Sequence, residues 1–338
     1  MTITDDHINE LLEILTTKRP DGGMGEAYLI QEYIEPLNPV MDEAGNFYVV
    51  VGDRPTTMFS SHTDTVHRKD GFQEIKYDAA REEIFKTDQE CLGADDGTGI
   101  WIMRRLIEAE VPGLYVFHRG EEIGGVGSKH ASSKEAARFE HIQRAIAFDR
   151  KGFSDVITHQ GWGRCCSDEF AKALSSALSS KYLAYTPDDT GVFTDTANYV
   201  DLIPECTNLS VGYNHEHTAK ETQNVAHLRH FVPALIAVDW EALPTKRDPT
   251  VIDEDDYLDR WDDKTDHGWP NRRASRSTRR TPVRDEGEYG FQALYDYACK
   301  HPGIVAVMLE EYGISTVDLD EIRFQFYDDD TLDTRYGT

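Results

Sequence analysis

Histidine and carboxylate side chains recur in this sequence just after predicted strands or in the turns beside them. They are His62, Asp64, Asp95, Asp96, Glu121, Glu122, Asp149 and His217. The carboxyl ends of strands in an open α/β sheet form the crevice where ligands bind, so five segments direct nitrogen and oxygen atoms toward one place. Unpaired buried charges are costly, and a bound dication would supply the missing countercharge.

The donor types indicate which metals suit such a site. Imidazole and carboxylate donors without thiolate suit zinc, and also manganese or cobalt. They are typical of a catalytic site that keeps a position open for water. Each piece alone has a plainer interpretation, because paired aspartates in a glycine-rich turn are usually turn formers and a single histidine is more often structural. The metal hypothesis therefore depends on the whole group.

Five motifs carry a family resemblance. They are S-H-T-D-T-V (61–66), L-G-A-D-D-G-T-G (92–99), G-E-E-I-G-G-V-G-S (120–128), A-F-D (147–149) and H-T-A-K-E-T (217–222). With these motifs in this order, roughly residues 20–230 resemble the co-catalytic zinc exopeptidases. That superfamily includes bacterial leucyl-type aminopeptidases, peptidase T tripeptidases and glutamyl aminopeptidases. The resemblance implies an α/β fold, a three-layer α/β/α sandwich with a mostly parallel mixed sheet.

The resemblance also implies a role for each matching residue. The implied ligands of two divalent metal ions, zinc before manganese or cobalt, are His62, Asp95 as the bridge, Glu122, Asp149 and His217. Asp64 is implied to hydrogen-bond the His62 imidazole and hold its orientation. Glu121 is implied to be the general base toward a water that the two metals activate. In relatives, the peptide bond between the positions of Asp95 and Asp96 is cis.

The last ligand position has two candidate histidines, His215 and His217. His217 precedes Thr218 and stands four residues before Glu221, which matches the H-T-x-x-[DE] pattern of the family. We therefore predict His217 as the ligand, and His215 as a residue that lines the pocket. Weaker candidates are the pocket positions Thr194 and Asp195, and two histidines interpreted as structural or surface residues, His67 and His118.

Hydrophobic periodicity predicts the elements that must position these residues. Helices are predicted at 5–17, 28–33, 98–109, 128–139, 167–178 and 225–240, and strands at 46–51, 57–61, 114–118, 144–148 and 206–211. Strands that alternate with helices predict an α/β sheet covered by helices on both faces.

The composition changes after about residue 242. We predict a catalytic domain over residues 1–242, a charged linker over 243–288 with too little apolar surface to fold alone, and a small mainly helical module over 289–338. The linker has an acidic run at 253–256 and an arginine-rich run from Arg272 to Arg284. We interpret these arginines as solvated; contact with nucleic acid or an acidic partner is the weaker alternative.

Charge and composition exclude several classes of protein. A net charge of −27 argues against a chain that binds nucleic acid or anionic membranes as a whole. Five cysteines without C-x-x-C spacing predict neither a disulfide framework nor a thiolate zinc site. No apolar run approaches the roughly 18 residues of a membrane span, and nothing resembles a signal peptide, so we expect no membrane partner and a cytoplasmic location.

Motif spacing selects among the branches of the superfamily. The tripeptidase and carboxypeptidase branches insert a lid between the positions of Asp149 and His217, which are only 68 residues apart here (217 − 149). The glutamyl branch inserts a domain between the positions of His62 and Asp95, which are 33 apart (95 − 62). We therefore predict a compact aminopeptidase that acts on a peptide or amino-acyl amide, with its oligomeric state left open.

Two other functions remain open at this stage. One is a deacylase or amidase that uses the same metal site on a non-peptide amide, since the catalytic residues are common to both. The other, from a different class, is a catalytically inactive binding or scaffold protein built on a peptidase-like core.

Overall fold

A computed structural model describes residues 1–160 and 163–251. In chain order, the α-helices of this part are α1 (Asp5–Leu15), α2 (Met24–Leu29), α3 (Ala94–Glu108), α4 (Val126–Lys134), α5 (Asp168–Leu178) and α6 (Val225–Ala237). A π-helix (Ile30–Ile34) continues α2, and short 3-10 helices form at Glu35–Leu37, Ala136–Phe139, Asp195–Tyr199 and Trp240–Ala242. The predicted helical module at 289–338 and most of the predicted linker, with Arg272 to Arg284, lie outside the described residues.

The strands of the same part of the chain belong to one large and three small sheets. They are β1 (Thr17–Lys18), β2 (Val40–Met41), β3 (Phe47–Val51), β4 (Thr57–His62), β5 (Gly71–Phe72), β6 (Ile75–Asp78), β7 (Glu83–Lys86), β8 (Gly113–His118), β9 (Arg144–Arg150), β10 (Asp155–Ile157), β11 (His159–Gln160), β12 (Gly163–Arg164), β13 (Thr186–Asp188), β14 (Glu205–Ser210), β15 (Tyr213–Asn214) and β16 (Thr222–Asn224).

The large sheet has the strand order β13-β10-β14-β9-β4-β8-β3-β2. Its centre is parallel, from β14 through β9 and β4 to β8, whereas β3 joins β8 and β10 joins β14 in antiparallel fashion. His62 pairs with His118 across β4 and β8, and Ser60 pairs with Ala147 across β4 and β9. The central strands therefore end at one edge, and the predicted mixed, mostly parallel sheet is confirmed.

Alternating side chains on the central strands supply two separate cores. Met58 and Ala145 face a core that α4 and two of the 3-10 helices cover. Phe59 and Ile146, the next residues along the same strands, face a larger core that α1, α3, α5 and α6 cover. Successive side chains of a strand point to opposite faces, so a sheet with two covered faces needs strands that are apolar throughout. This arrangement is the three-layer α/β/α sandwich.

The elements predicted from periodicity all overlap an observed helix or strand, but β2, β10 and β13 of the large sheet and all three small sheets were missed. The largest of these small sheets has four strands. This sheet is antiparallel, with the order β15-β16-β7-β6, and it flanks the loop that carries His217. The strand β6 places charged side chains of Lys76 and Asp78 among exposed or half-buried positions. Its four residues alternate between apolar and polar, but so short a run does not distinguish a strand from a loop.

The residues that follow position 242 continue to contact the large sheet. The Arg144 guanidinium donates to the carbonyl oxygen of Leu243 over 3.2 Å. The backbone N–H of Lys246 donates to the Glu205 carboxylate over 2.6 Å, and Arg247 donates to the carbonyl oxygen of Val200 over 2.8 Å. The packed chain therefore extends to Arg247.

Two further features concern membrane-spanning helices and cysteines. Among the described residues, no helix has both the length and the apolar content to cross a membrane. The four cysteines in this part of the chain, Cys91, Cys165, Cys166 and Cys206, are buried free thiols.

Phe59 tests the larger core, because its ring packs 4.9 Å from that of Trp240 and 5.0 Å from that of Tyr115 (centroid distances). Phe59→Ala should lower the free energy of unfolding by about 3–5 kcal/mol, measured by urea denaturation. Val50→Ala is the matched control, because Val50 lies on β3 with 61% of its surface exposed and should cost about 1 kcal/mol or less. Equal losses in the two variants would argue against this core.

Candidate metal centre

The candidate site lies at the edge where the central parallel strands end. His62 is the last residue of β4, and Asp149 lies one residue before the end of β9. The turn that follows β8 carries Glu121 and Glu122. The remaining members come from other elements: Asp95 from the start of α3, and His217 from the loop between β15 and β16. The fold thus gathers every predicted ligand and the predicted base at one edge.

The Asp95 carboxylate lies between two imidazoles. Its Oδ1 is 3.0 Å from His62 Nε2, and its Oδ2 is 3.1 Å from His217 Nε2. His217 Nε2 is also 3.1 Å from Glu122 Oε1, and His62 Nε2 is 3.7 Å from Asp149 Oδ1. One carboxylate therefore joins two sets of donors, His62 with Asp149 and Glu122 with His217.

Asp96 adds a further buried carboxylate beside this group. The peptide bond between Asp95 and Asp96 is cis, as the resemblance implied. The Asp96 carboxylate accepts from the backbone N–H of Gly99 over 3.0 Å and from that of His62 over 3.3 Å. Atoms of His62, Asp96 and Asp149 lie within 4.8 Å of one another, as do those of His62, Asp95 and Glu122. The structure thus contains two overlapping groups able to hold a metal ion.

Asp64 is fully buried and connects two parts of the site. His62 Nδ1, on the side of the ring opposite the ligand nitrogen, lies 3.1 Å from the carbonyl oxygen of Asp64 and 3.4 Å from Oδ1 of its carboxylate. The two oxygens of this carboxylate also accept from the backbone N–H groups of Glu121 and Glu122, each over 3.1 Å. Burial alone would raise the pKa of Asp64, but the contacts with His62 and these N–H groups hold it below its ordinary value. Asp64 therefore fixes the histidine ring and the glutamate turn together.

The pKa values of the carboxyl and imidazole groups in the site are consistent with donors that fit a divalent cation. Burial raises the pKa of Glu122 to about 7, and it also raises the pKa of Asp149. Burial acts in the opposite direction on His217, but the hydrogen bonds that its imidazole donates to the Asp95 and Glu122 carboxylates raise its pKa to about 12. The protein alone must therefore hold protons among these groups to limit its negative charge. A dication would replace those protons, because metal ligands must be deprotonated.

The structure separates the two candidate histidines of the last motif. Both have left-handed backbone conformations, with φ of 58° at His215 and 62° at His217. Both side chains are exposed, but the His217 imidazole reaches Asp95 and Glu122, whereas His215 forms no ion pair with either carboxylate and its carbonyl oxygen accepts from Thr218. The position of His217 agrees with the predicted ligand.

Several residues that support the ligands carried little or no signal in the sequence. The Tyr213 hydroxyl donates to Asp149 Oδ1 over 3.1 Å, and the Thr194 side chain also hydrogen-bonds this carboxylate. The buried Glu221 carboxylate accepts from the backbone N–H of Gly93 over 2.9 Å and from that of Asp95 over 3.0 Å. Glu221 was marked by the H-T-x-x-[DE] pattern, whereas nothing distinguished Tyr213 from other strand residues.

The other histidines near the motifs lie behind the ligands. His118 is fully buried, with its Nε2 2.8 Å from the Tyr199 hydroxyl and its Nδ1 3.4 Å from the Asp195 carboxylate. Burial lowers the pKa of His118 to about 3 and that of His67 to about 4, so both rings are neutral at pH 7. These rings contribute to packing and hydrogen bonding, and Asp195 lies in this inner layer rather than among the ligands.

The two histidines of the last motif provide a direct test of the site. His217→Ala should weaken binding of Zn²⁺ by more than the about 10–100-fold typical of losing a residue that only supports a ligand. His215→Ala, two residues away in the same loop, should bind as the unsubstituted protein does. Competition with a chromogenic chelator measures both affinities. A loss confined to His215→Ala would contradict the arrangement described.

No protein-family model and no curated protein matches this sequence. Solved structures with similar folds include the aminopeptidase PepT from Bacillus cereus, with 15% identity over 70% of this chain and 98% of that chain and a TM-score of 0.58. A tripeptidase from Staphylococcus aureus matches with 14% identity, the same coverage and a TM-score of 0.59. The LapA aminopeptidase of Legionella pneumophila matches with 15% identity over 73% of each chain and a TM-score of 0.51. The chain therefore has the α/β fold of these peptidases.

Proposed function

We propose that this protein is a metallo-aminopeptidase that hydrolyses the first peptide or amide bond of its substrate with two divalent metal ions, preferably Zn²⁺. The proposed ligands are His62, Asp95, Glu122, Asp149 and His217. The observation that carries the proposal is the shared Asp95 carboxylate, whose two oxygens lie 3.0 and 3.1 Å from imidazole nitrogens of separate donor sets. Imidazole and carboxylate donors without sulfur suit zinc in a catalytic site.

Glu121 is the proposed general base. Metal ions bound at such a site supply Lewis acidity toward the scissile carbonyl and increase the acidity of water. The Glu121 carboxylate takes one proton from the water whose oxygen bonds to the carbonyl carbon, and it returns that proton to the leaving nitrogen as the C–N bond breaks. Burial raises the pKa of Glu121 well above its ordinary value. Bound dications would act in the opposite direction and favour the carboxylate form that takes the proton.

Asp64 is the proposed positioning residue for the metal ligand His62 and for the general base Glu121. Its carboxylate contacts the His62 ring at 3.4 Å and accepts from the backbone N–H of Glu121 at 3.1 Å. A displacement of this carboxylate would therefore move a ligand and the base together, which is why we group Asp64 with Glu121 in the reaction.

Charge around the site supports cleavage at the amino end of a peptide. An enzyme that grips a carboxyl terminus needs a free basic group beside the scissile bond. Three basic residues that neighbour the ligand segments are instead engaged with acidic partners: Lys151 with Glu216 at 2.7 Å, Arg150 with Asp155 at 3.2 Å, and Arg119 with Asp21 at 3.3 Å. The solved structures with similar folds are aminopeptidases and a tripeptidase, which points in the same direction.

Glu121→Gln tests the proposal, because it removes the base and retains the size of the side chain. We expect kcat for an amino-acyl anilide to fall by about 10²–10⁴-fold with zinc content unchanged. Glu140→Gln, an exposed glutamate on the same chain, is the control and should retain full activity. Undiminished turnover by Glu121→Gln would contradict the proposed mechanism.

The same assay separates the alternative functions when N-acyl amino acids are tested beside the anilides. Turnover of the anilides alone supports the aminopeptidase, whereas turnover of the N-acyl compounds alone would indicate a deacylase. A protein that binds zinc and cleaves neither class would favour a binding or scaffold role.

A further inference from the structure

Arg19 is a fully buried cation that belongs to none of the five motifs. It lies in the loop between β1 and α2, and its guanidinium reaches the interior behind the metal centre. Its Nη1 donates to the carbonyl oxygens of Ile14 and Thr17, each over 3.2 Å. These two bonds anchor the guanidinium to the amino-terminal segment.

The other donors of Arg19 reach two segments that carry proposed ligands. Nε donates over 3.2 Å to the carbonyl oxygen of Thr63, the residue after His62. Nη2 donates over 2.8 Å to the carbonyl oxygen of Gly93, two residues before Asp95. One planar group therefore sets the spacing between the His62 segment and the Asp95 segment.

Backbone contacts hold Arg19 itself against the first of these segments. The backbone N–H of Thr65 donates to the Arg19 carbonyl oxygen over 2.8 Å, and the Arg19 N–H donates to the Thr65 hydroxyl over 3.3 Å. At the start of α3, a Cβ added at Gly97 would lie 3.0 Å from Arg19 Nη2. The helix that carries Asp95 thus packs directly on the guanidinium, with no room for a larger residue.

The charge of Arg19 also matters to the carboxylates of the site. Burial lowers its pKa, but the negative charges of Glu221, Asp96 and Asp64 oppose that effect. An arginine stays protonated in proteins even when burial acts on it. Arg19 therefore contributes one permanent positive charge to a region crowded with buried carboxylates.

We propose that Arg19 is a positioning residue of the metal centre, which sets the separation of the His62 and Asp95 segments and so determines metal affinity as well as stability. The inference rests on the proposed metal ligands. Lysine cannot replace it, because an ammonium is a compact donor that lacks the planar fork needed to reach Thr63 and Gly93 together.

Arg19→Lys is the test, with Arg144→Lys as the matched control. Arg144 is also a buried arginine, at 1% exposure, but it bonds to Thr56 and Leu243 at the opposite end of the strands. We measure the unfolding of the metal-free proteins by urea and the Zn²⁺ affinity by competition with a chromogenic chelator. Both variants should lose stability, but only Arg19→Lys should lose Zn²⁺ affinity, by about 10–100-fold.

Equal Zn²⁺ affinity in Arg19→Lys and the unsubstituted protein would overturn the proposal. If Arg19→Lys is unfolded without metal, a zinc titration that measures the midpoint of its refolding replaces the chelator assay. A midpoint at least about tenfold above that of Arg144→Lys supports the proposal. A chain that no zinc concentration refolds, while Arg144→Lys refolds, would overturn it by making Arg19 a folding residue only.

This outcome is independent of the reaction, because zinc binding is measured rather than hydrolysis. If the unsubstituted protein binds zinc but cleaves no anilide, the proposed function fails and the role of Arg19 can still be measured. If hydrolysis follows the proposed mechanism but Arg19→Lys binds zinc normally, only this inference fails.

Discussion

The burial of several carboxylates at one edge of the sheet is the constraint that shapes the rest of this structure. Asp64, Asp95 and Asp96 are all at most 8% exposed. Removing such groups from water is costly unless opposite charge or hydrogen-bond donors compensate. The protein compensates with backbone N–H groups for Asp64 and Asp96, two imidazoles for Asp95, and the Arg19 guanidinium behind them. These groups leave part of the negative charge of the carboxylates uncompensated. A divalent cation would balance that charge.

The fold makes this concentration of charge possible because its central strands are parallel. Parallel strands end at the same edge, so residues that are far apart in the sequence meet without long loops. The apolar residues of β4 and β9 face two separate cores, which anchors both strands rigidly below the site. Hydrogen bonds between distant segments then hold the residues at this edge in place. Glu221, for example, accepts from the backbone N–H of Asp95 over 3.0 Å. The strands carry His62 and Asp149, the start of α3 carries Asp95, and the loops contribute His217 and the glutamate turn.

The sequence predicted the proposed ligands and the main strands well, because motifs and periodicity depend on residues that are close together in the chain. The motifs predicted each proposed ligand, and strongly apolar strands such as β4 and β8 were located to within one residue. The H-T-x-x-[DE] pattern also favoured His217 over His215. The contacts between the motifs required tertiary structure, because they join residues that are far apart in the sequence. Arg19 and Tyr213 were missed because their roles depend on contacts with backbone or side chains more than 40 residues away. The small sheet around β6 was missed because its strands are at most four residues long.

The central claim is that one aspartate joins two metal positions. Anomalous diffraction at the zinc absorption edge, from crystals of the full chain grown with Zn²⁺, tests this claim most directly. We expect two anomalous peaks that flank the Asp95 carboxylate, one beside His62 and Asp149 and the other beside Glu122 and His217. A single peak, or peaks that do not contact Asp95, would contradict it.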